Sequence, residues 1–195
     1  MAKNEGKKFE EDFQKSIPED VWFKRLNDNA SSFAGGSGTR FTSTNECDYL
    51  MMDDKTRLLM AIELKSTISS LTYWHEKFEV DGQKYNAQIK KNQILGLLKW
   101  SKHNMKCGIV MNFRNHDNRT FFIEINDFVH YTDKLLKKSI GFEDVMKMNP
   151  VEIFGEKKRT RWRYNIERFI EEVNKKSKTS ECCPITRWLK EEHGN

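Results

Sequence analysis

Two short apolar runs on either side of a polar turn constrain this chain more than anything else in it. Residues 47–52 read Cys-Asp-Tyr-Leu-Met-Met, residues 58–65 read Leu-Leu-Met-Ala-Ile-Glu-Leu-Lys, and Asp53-Asp54-Lys55-Thr56 lies between them. Mostly apolar runs of strand length joined by turn-forming residues predict a β-hairpin. The two-residue period of a strand then puts Glu63 and Lys65 on one face and Ile62 and Leu64 on the other. With the tip near Lys55, Asp48 falls opposite Ala61 or Ile62, diagonal to Glu63. Two carboxylates and an ammonium group are thereby expected side by side.

The flanking segments supply the rest of a fold. Phe9, Phe13 and Ile17 recur every four residues, with Asn4 in place to cap and Pro18 just past the end, as in a short amphipathic helix. Val21-Trp22-Phe23 starts a strand. Residues 27–45 are rich in Ser, Thr, Asn and Gly and predict a loop. Residues 66–86 sustain no period and are expected to be a second long loop carrying one helical turn; long loops of this kind are often functional. Ile89, Ile94, Leu97, Leu98 and Trp100 define one side of a buried helix over 87–103. Apolar runs at 108–113 and 120–125 flank the polar stretch 114–119 and predict a second hairpin. Asn126 is placed to cap a helix through Leu136, and a last helix over 162–173 turns Ile166, Phe169, Ile170 and Val173 inward. Phe121, Phe122 and Phe128 are assigned to the core, with a subunit interface as the alternative.

This order predicts an α/β fold with a central mixed sheet flanked by helices. A length of 195 residues predicts one domain; its expected bounds are 1–174, with 175–195 as a basic and polar tail. The first residues contain no apolar signal region, and no apolar run is long enough to span a membrane. Cys47, Cys107, Cys182 and Cys183 have neither CxxC spacing nor a histidine partner, which fits a reducing cytoplasm and argues against structural zinc. His103, His116 and His130 likewise lack zinc-ligand spacing.

Charge is distributed unevenly. Between Gly155 and Lys178 nine basic residues face four acidic ones, an excess equal to the +5 of the whole chain. Such a local field attracts polyanions, although a solvated helix face is the alternative. Lys157, Lys158, Arg159, Arg161 and Arg163, together with Arg40 in the glycine-rich loop, are the candidate DNA contacts. Trp162 among them either stacks on a base or packs inward.

The first hairpin carries the chemistry. Mg²⁺ takes hard oxygen ligands and keeps several waters, so one Asp, one Glu and a phosphate oxygen suffice to hold it. Held there, it can activate water and offset charge on a phosphorane-like transition state, while Lys65 orients or deprotonates the water or neutralises the scissile phosphate. Glu-x-Lys occurs three times, at 5–7, 63–65 and 156–158, but only Glu63-Lys65 lies in a strand behind an acidic residue of the preceding strand.

Taken together, Asn4 to Glu10, Cys47-Asp48-Tyr49, Ile62-Glu63-Leu64-Lys65, Asn92-Gln93 and Gly108-Ile109-Val110 resemble the corresponding segments of the RecU-type Holliday-junction resolvases. These belong to the PD-(D/E)xK nuclease superfamily, which has a restriction-endonuclease-like core. The resemblance covers roughly residues 4–136. It implies a homodimer that cuts four-way DNA junctions by paired nicks in recombination and repair, using Mg²⁺ with Mn²⁺ as a substitute. By the family pattern Asp48 and Glu63 are metal ligands, Lys65 is catalytic, Gln93 is a further active-site residue and ligand, and Glu10 assists from the first helix. Two positions depart from that pattern. Glu46 stands where the family has threonine, and either adds a carboxylate ligand or faces solvent; Asn92 stands where it has histidine. The segment before the acidic strand is short, so the junction-recognising stalk is expected to be reduced or moved to 66–86. A recombinase partner is not indicated by any residue, and small size is compatible with a phage-encoded protein acting in a bacterial cytoplasm. Two other functions remain open: a sequence-specific restriction-type endonuclease, and a catalytically idle DNA-binding accessory protein.

Overall fold

The computed structural model describes residues 5–26, 45–79 and 85–179. Its frame is a six-stranded sheet in the order β1-β2-β3-β5-β6-β8, formed by β1 (Val21–Arg25), β2 (Tyr49–Asp53), β3 (Leu59–Thr67), β5 (Lys106–Phe113), β6 (Arg119–Glu124) and β8 (Val151–Ile153). Only β3 and β5 run parallel; every other neighbouring pair is antiparallel. The fold is therefore mixed α/β, with a central mixed sheet between helices.

Alternation along β3 and β5 sorts the core into two layers. Ala61, Ile109, Met111 and Phe113 pack with Ile94 and Leu97 of α2 (Lys91–Ser101) and Phe128 of α3 (Ile125–Asp133). Met60, Ile62, Leu64 and Val110 pack on the other side with Phe9 and Phe13 of α1 (Glu5–Gln14) and with Ile166, Phe169, Ile170 and Val173 of α5 (Ile166–Thr179). A central strand covered on both faces has to be apolar at nearly every position, which is why 58–65 is an almost unbroken apolar run. Phe121, Phe122 and Phe128 are fully enclosed in these layers, so they serve the core rather than an interface.

The first hairpin forms with a shifted register. Tyr49 pairs with Ile62 and Met52 with Leu59, so the tip is centred between Lys55 and Thr56 and Asp48 comes level with Glu63 rather than with Ala61 or Ile62. The cause is the turn chemistry. The Asp53 carboxylate accepts hydrogen bonds from the Thr56 N–H at 2.7 Å and the Thr56 hydroxyl, Asp53 N–H donates to the Leu58 carbonyl, and Arg57 adopts a φ of 58°.

Other boundaries move for similar local reasons. The α2 helix begins at Lys91 instead of residue 87, because Ile89 is drawn into a bridge with Tyr73 and donates its N–H to the Thr72 carbonyl. The segment 66–86 contains the expected helical turn, at Glu76–Phe78, and also β4 (Ser70–Thr72), which pairs with β7 (Ser139–Gly141). The α3 helix starts one residue before Asn126 and ends at Asp133. Between it and the last helix lie β7, α4 (Phe142–Met146), β8, β9 (Gly155–Lys157) and β10 (Trp162–Tyr164), none of which the periodicity disclosed. Trp162 belongs to strand β10 and packs against the α1-side core. The helix begins only after Asn165, whose side-chain oxygen accepts the Arg168 N–H at 3.0 Å as a cap. It continues to Thr179, past the expected boundary at 174. Among the described residues no helix is long and apolar enough to cross a membrane.

Gly108 shows how tightly β5 and β6 approach: a Cβ there would fall within contact distance of the Ile123 carbonyl and the Phe122 ring. Because the obstructing oxygen is sheet backbone, Gly108→Ala should destabilise the protein by roughly 1–3 kcal/mol, seen as a lower urea midpoint with an unchanged slope.

Candidate active site

The register of the first hairpin creates the site. The β2 strand starts at Tyr49, opposite Ile62, so from Glu63 onward β3 continues beyond the end of its neighbour. A backbone N–H left there would be an orphan. Asp48 supplies the missing partner. Its N–H donates to the Ile62 carbonyl at 3.1 Å, and its Oδ2 accepts the Leu64 N–H at 2.7 Å. The carboxylate thus takes the place of a strand and is fixed in position by doing so.

Glu63 lies on the face covered by α2 and is only 2% exposed. Its Oε1 accepts from Lys65 Nζ at 2.7 Å and from Gln93 Nε2, whereas its Oε2 is buried with no hydrogen-bond partner. Burial pushes the Glu63 carboxyl up to about 8, the charge of Asp48 adds to the rise, and Lys65 opposes it. An enclosed carboxylate oxygen without a donor is costly, by about 1–3 kcal/mol or more. Either a proton or a cation would relieve it. The same acceptor-rich corner, two carboxylates and one orphaned oxygen, fits a hard divalent ion such as Mg²⁺. Among the described residues no third His, Cys, Asp or Glu completes a ready-made cluster, so such an ion would have to draw its other ligands from water and substrate.

Gln93 sits in the first turn of α2 and joins this corner through its nitrogen. Its carbonyl oxygen accepts the Lys90 N–H at 2.9 Å. Flipping the amide would set two donors against each other there and leave the Glu63 oxygen facing a carbonyl. The Gln93 carbonyl is therefore turned away from the acids, and the residue holds Glu63 in place instead of offering a ligand oxygen. Asn92 ties the same helix to the incoming chain through its amide, which donates to the Asn45 carbonyl at 2.9 Å.

The remaining candidates are placed elsewhere. Glu46 lays its side chain on Gly96 of α2, where any Cβ would collide with it, and it does not join Asp48 and Glu63 in a three-acid group. Glu10 pairs with Arg25 at 2.6 Å, tying α1 to the edge strand β1. In the β9–β10 hairpin Lys157, Lys158, Arg159 and Arg163 are exposed, with Lys158 paired to Glu156 and Arg163 donating to the Lys15 carbonyl, and Arg161 is engaged by Glu11 at 3.0 Å and Asp12 at 3.2 Å. Together with the Trp162 N–H, which donates to Asp12, that pair fastens the hairpin to α1, so Arg161 is structural. Arg40 lies outside the described residues. His116 stacks on Phe142 with ring centroids 4.0 Å apart. One residue of the polar run 114–119 was not singled out by sequence: Arg114 directly follows β5, and its N–H donates to the last carbonyl of β3.

The Glu63 carboxyl sets a pH dependence whose sign can be worked out. Its folded value of about 8 lies above its ordinary 4.5, so the folded state binds the proton more tightly than the unfolded state. The associated stability is fully present below about pH 4.5 and is lost as the pH rises through about 8. In chelator, the midpoint of Glu63→Gln should therefore gain on that of the wild type between about pH 5 and about pH 9. Two midpoints that stay parallel across this window in urea melts would mean that Glu63 ionises normally.

No family model matches the chain. It is similar to the SPbeta prophage-derived uncharacterized protein YotM of Bacillus subtilis (strain 168), at 27% identity over 192 aligned residues covering 91% of each chain.

Proposed function

We propose that this chain is a metal-dependent endodeoxyribonuclease with a restriction-endonuclease-like, PD-(D/E)xK core, and that its substrate is a four-way DNA junction. The observation that carries the reading is the meeting of Asp48, Glu63 and Lys65 where β3 outruns β2, with an orphaned Glu63 oxygen between them. Asp48 and Glu63 would hold Mg²⁺ or Mn²⁺, which supplies Lewis acidity for the attacking water and the phosphate. Lys65 has its ammonium 2.7 Å from Glu63, where it can transfer a hydrogen bond to a phosphate oxygen or to water. Gln93 positions Glu63 through its amide nitrogen. The exposed bases Lys157, Lys158, Arg159 and Arg163 would add sequence-independent attraction to DNA. Preference for a junction rests on the resemblance of the motif segments to the RecU-type resolvases, and a phage-encoded origin is supported by the prophage-derived relative.

A labelled four-way junction incubated beside linear duplex, each with and without Mg²⁺, tests the reading. Junction-specific nicking that requires the cation is expected. Cutting of linear duplex at a fixed sequence would point to a restriction-type enzyme, and binding without nicking in Mg²⁺ or Mn²⁺ to an accessory protein. Asp48→Ala, Glu63→Ala and Lys65→Ala should each lower nicking by roughly 100-fold or more while DNA binding persists. Lys7→Ala and Lys158→Ala, which alter the other two Glu-x-Lys copies, should not match that loss.

Resolving a junction within one bound complex needs two cuts, and the described residues hold a single such site. A two-fold homodimer is the commonest way to present two identical sites to a near-symmetric substrate. Sedimentation at micromolar protein should give about twice the mass of the chain, and nicks should map to related positions on opposing strands. A monomer that remains one per junction and nicks one strand overturns this part.

A further inference from the structure

The parallel strands β3 and β5 end side by side, and an arginine emerges where they stop. The register sets Lys65 beside Met111 and Thr67 beside Phe113, and the Arg114 N–H then donates to the Thr67 carbonyl at 2.9 Å. Three residues along a strand and one step across a sheet place the Arg114 backbone about 11 Å from that of Lys65. Arg114 is half-buried, and its Nε is enclosed with no hydrogen-bond partner. Four other arginines are engaged: Arg25 by Glu10, Arg119 by Glu152, Arg161 by Glu11 and Asp12, and Arg163 by the Lys15 carbonyl, whereas Arg57 and Arg159 are exposed to solvent.

A guanidinium keeps its charge, and an enclosed N–H of it without an acceptor is costly. A chain carries such a group without loss where an anion from outside completes it. The position also suits a ligand, because ligands of open α/β sheets bind beyond the carboxyl ends of parallel strands. The planar fork of a guanidinium matches two oxygens of one phosphate. We infer that Arg114 is a phosphate-binding residue that grips the DNA backbone at the carboxyl end of the two strands, beyond the phosphate presented to Lys65. The nucleic-acid identity of the ligand rests on the nuclease reading; the unpaired Nε–H does not.

The test uses the full chain with Arg114→Leu and Arg114→Lys, fluorescent four-way junction and duplex as probes, and chelator to prevent cleavage. Arg114→Leu should melt at the wild-type temperature or above, because it removes an enclosed N–H that has no acceptor. It should also weaken DNA binding by roughly 5- to 10-fold and reduce the log–log salt slope by about one unit. Arg114→Lys should recover the slope but not the full affinity, since an ammonium lacks the fork. Should Arg114→Leu melt lower than the wild type, or not fold, while Arg114→Lys binds with full affinity, the residue is structural and the inference fails. Wild-type affinity and slope in Arg114→Leu also overturn it. Nicking by the wild type in Mg²⁺ is scored separately. Arg114-dependent binding without nicking would sink the nuclease reading and leave the phosphate site standing, whereas nicking with Arg114-independent binding does the reverse. No DNA binding by the wild type removes both.

Discussion

At the point where β2 stops and β3 goes on, a single carboxylate oxygen of Asp48 accepts the Leu64 N–H at 2.7 Å. That bond ends strand pairing without leaving an orphan donor, and it holds the first acid of the site against the backbone of the strand that carries the other two groups. A side chain bonded to the backbone has less freedom than one projecting into solvent, so the spacing of Asp48, Glu63 and Lys65 is as stiff as the sheet itself. Everything else nearby is arranged around this edge. The β5 strand fixes β3 from the other side, α2 brings Gln93 down onto Glu63, and Asn92 ties α2 back to the chain that leads into Asp48.

The same arrangement is costly for folding. Glu63 is shut in with a neighbouring carboxylate and an oxygen that no donor reaches, in a layer otherwise filled by Ala61, Ile109 and Met111. An apolar residue there would be cheaper. Arg114 is a second conflict of this type, at the end of the same two strands. A buried carboxylate oxygen and a buried guanidinium N–H, each without a partner on the same pair of strands, break the local rules of stable packing, which happens most often where a ligand binds.

Charge elsewhere in the chain divides between architecture and solvent. Arg161 looks identical to Arg159 and Arg163 in the sequence, yet it is taken up by Glu11 and Asp12 and anchors the β9–β10 hairpin to α1. Glu10 is spent on Arg25, and Lys176 on Asp127 and the Asn149 carbonyl. A tally of like charges therefore overstates the surface available to a polyanion, because acidic partners far away in the chain are invisible to it.

Sequence alone determined the parts that depend on local pattern. The hairpin of β2 and β3 was legible because a buried strand must be apolar, and the two-residue period placed Glu63 and Lys65 on one face regardless of what surrounds them. The helices α1, α2 and α5 were legible from their apolar spacing, and the mixed sheet from the order of elements. The five short elements between α3 and α5 were not, because strands of three residues and a helix of five have too few positions to display a period, and β7 and β8 also form through distant partners. The exact level of Asp48 was decided by the Asp53–Thr56 turn, which shifts the register by one to two residues. The amide direction of Gln93 was decided by the Lys90 N–H, and the unpaired Nε of Arg114 by where two parallel strands happen to end. Residue spacing along a chain fixes which side chains share a face; which of them meet, and which are left unsatisfied, is set by contacts between segments that only packing brings together.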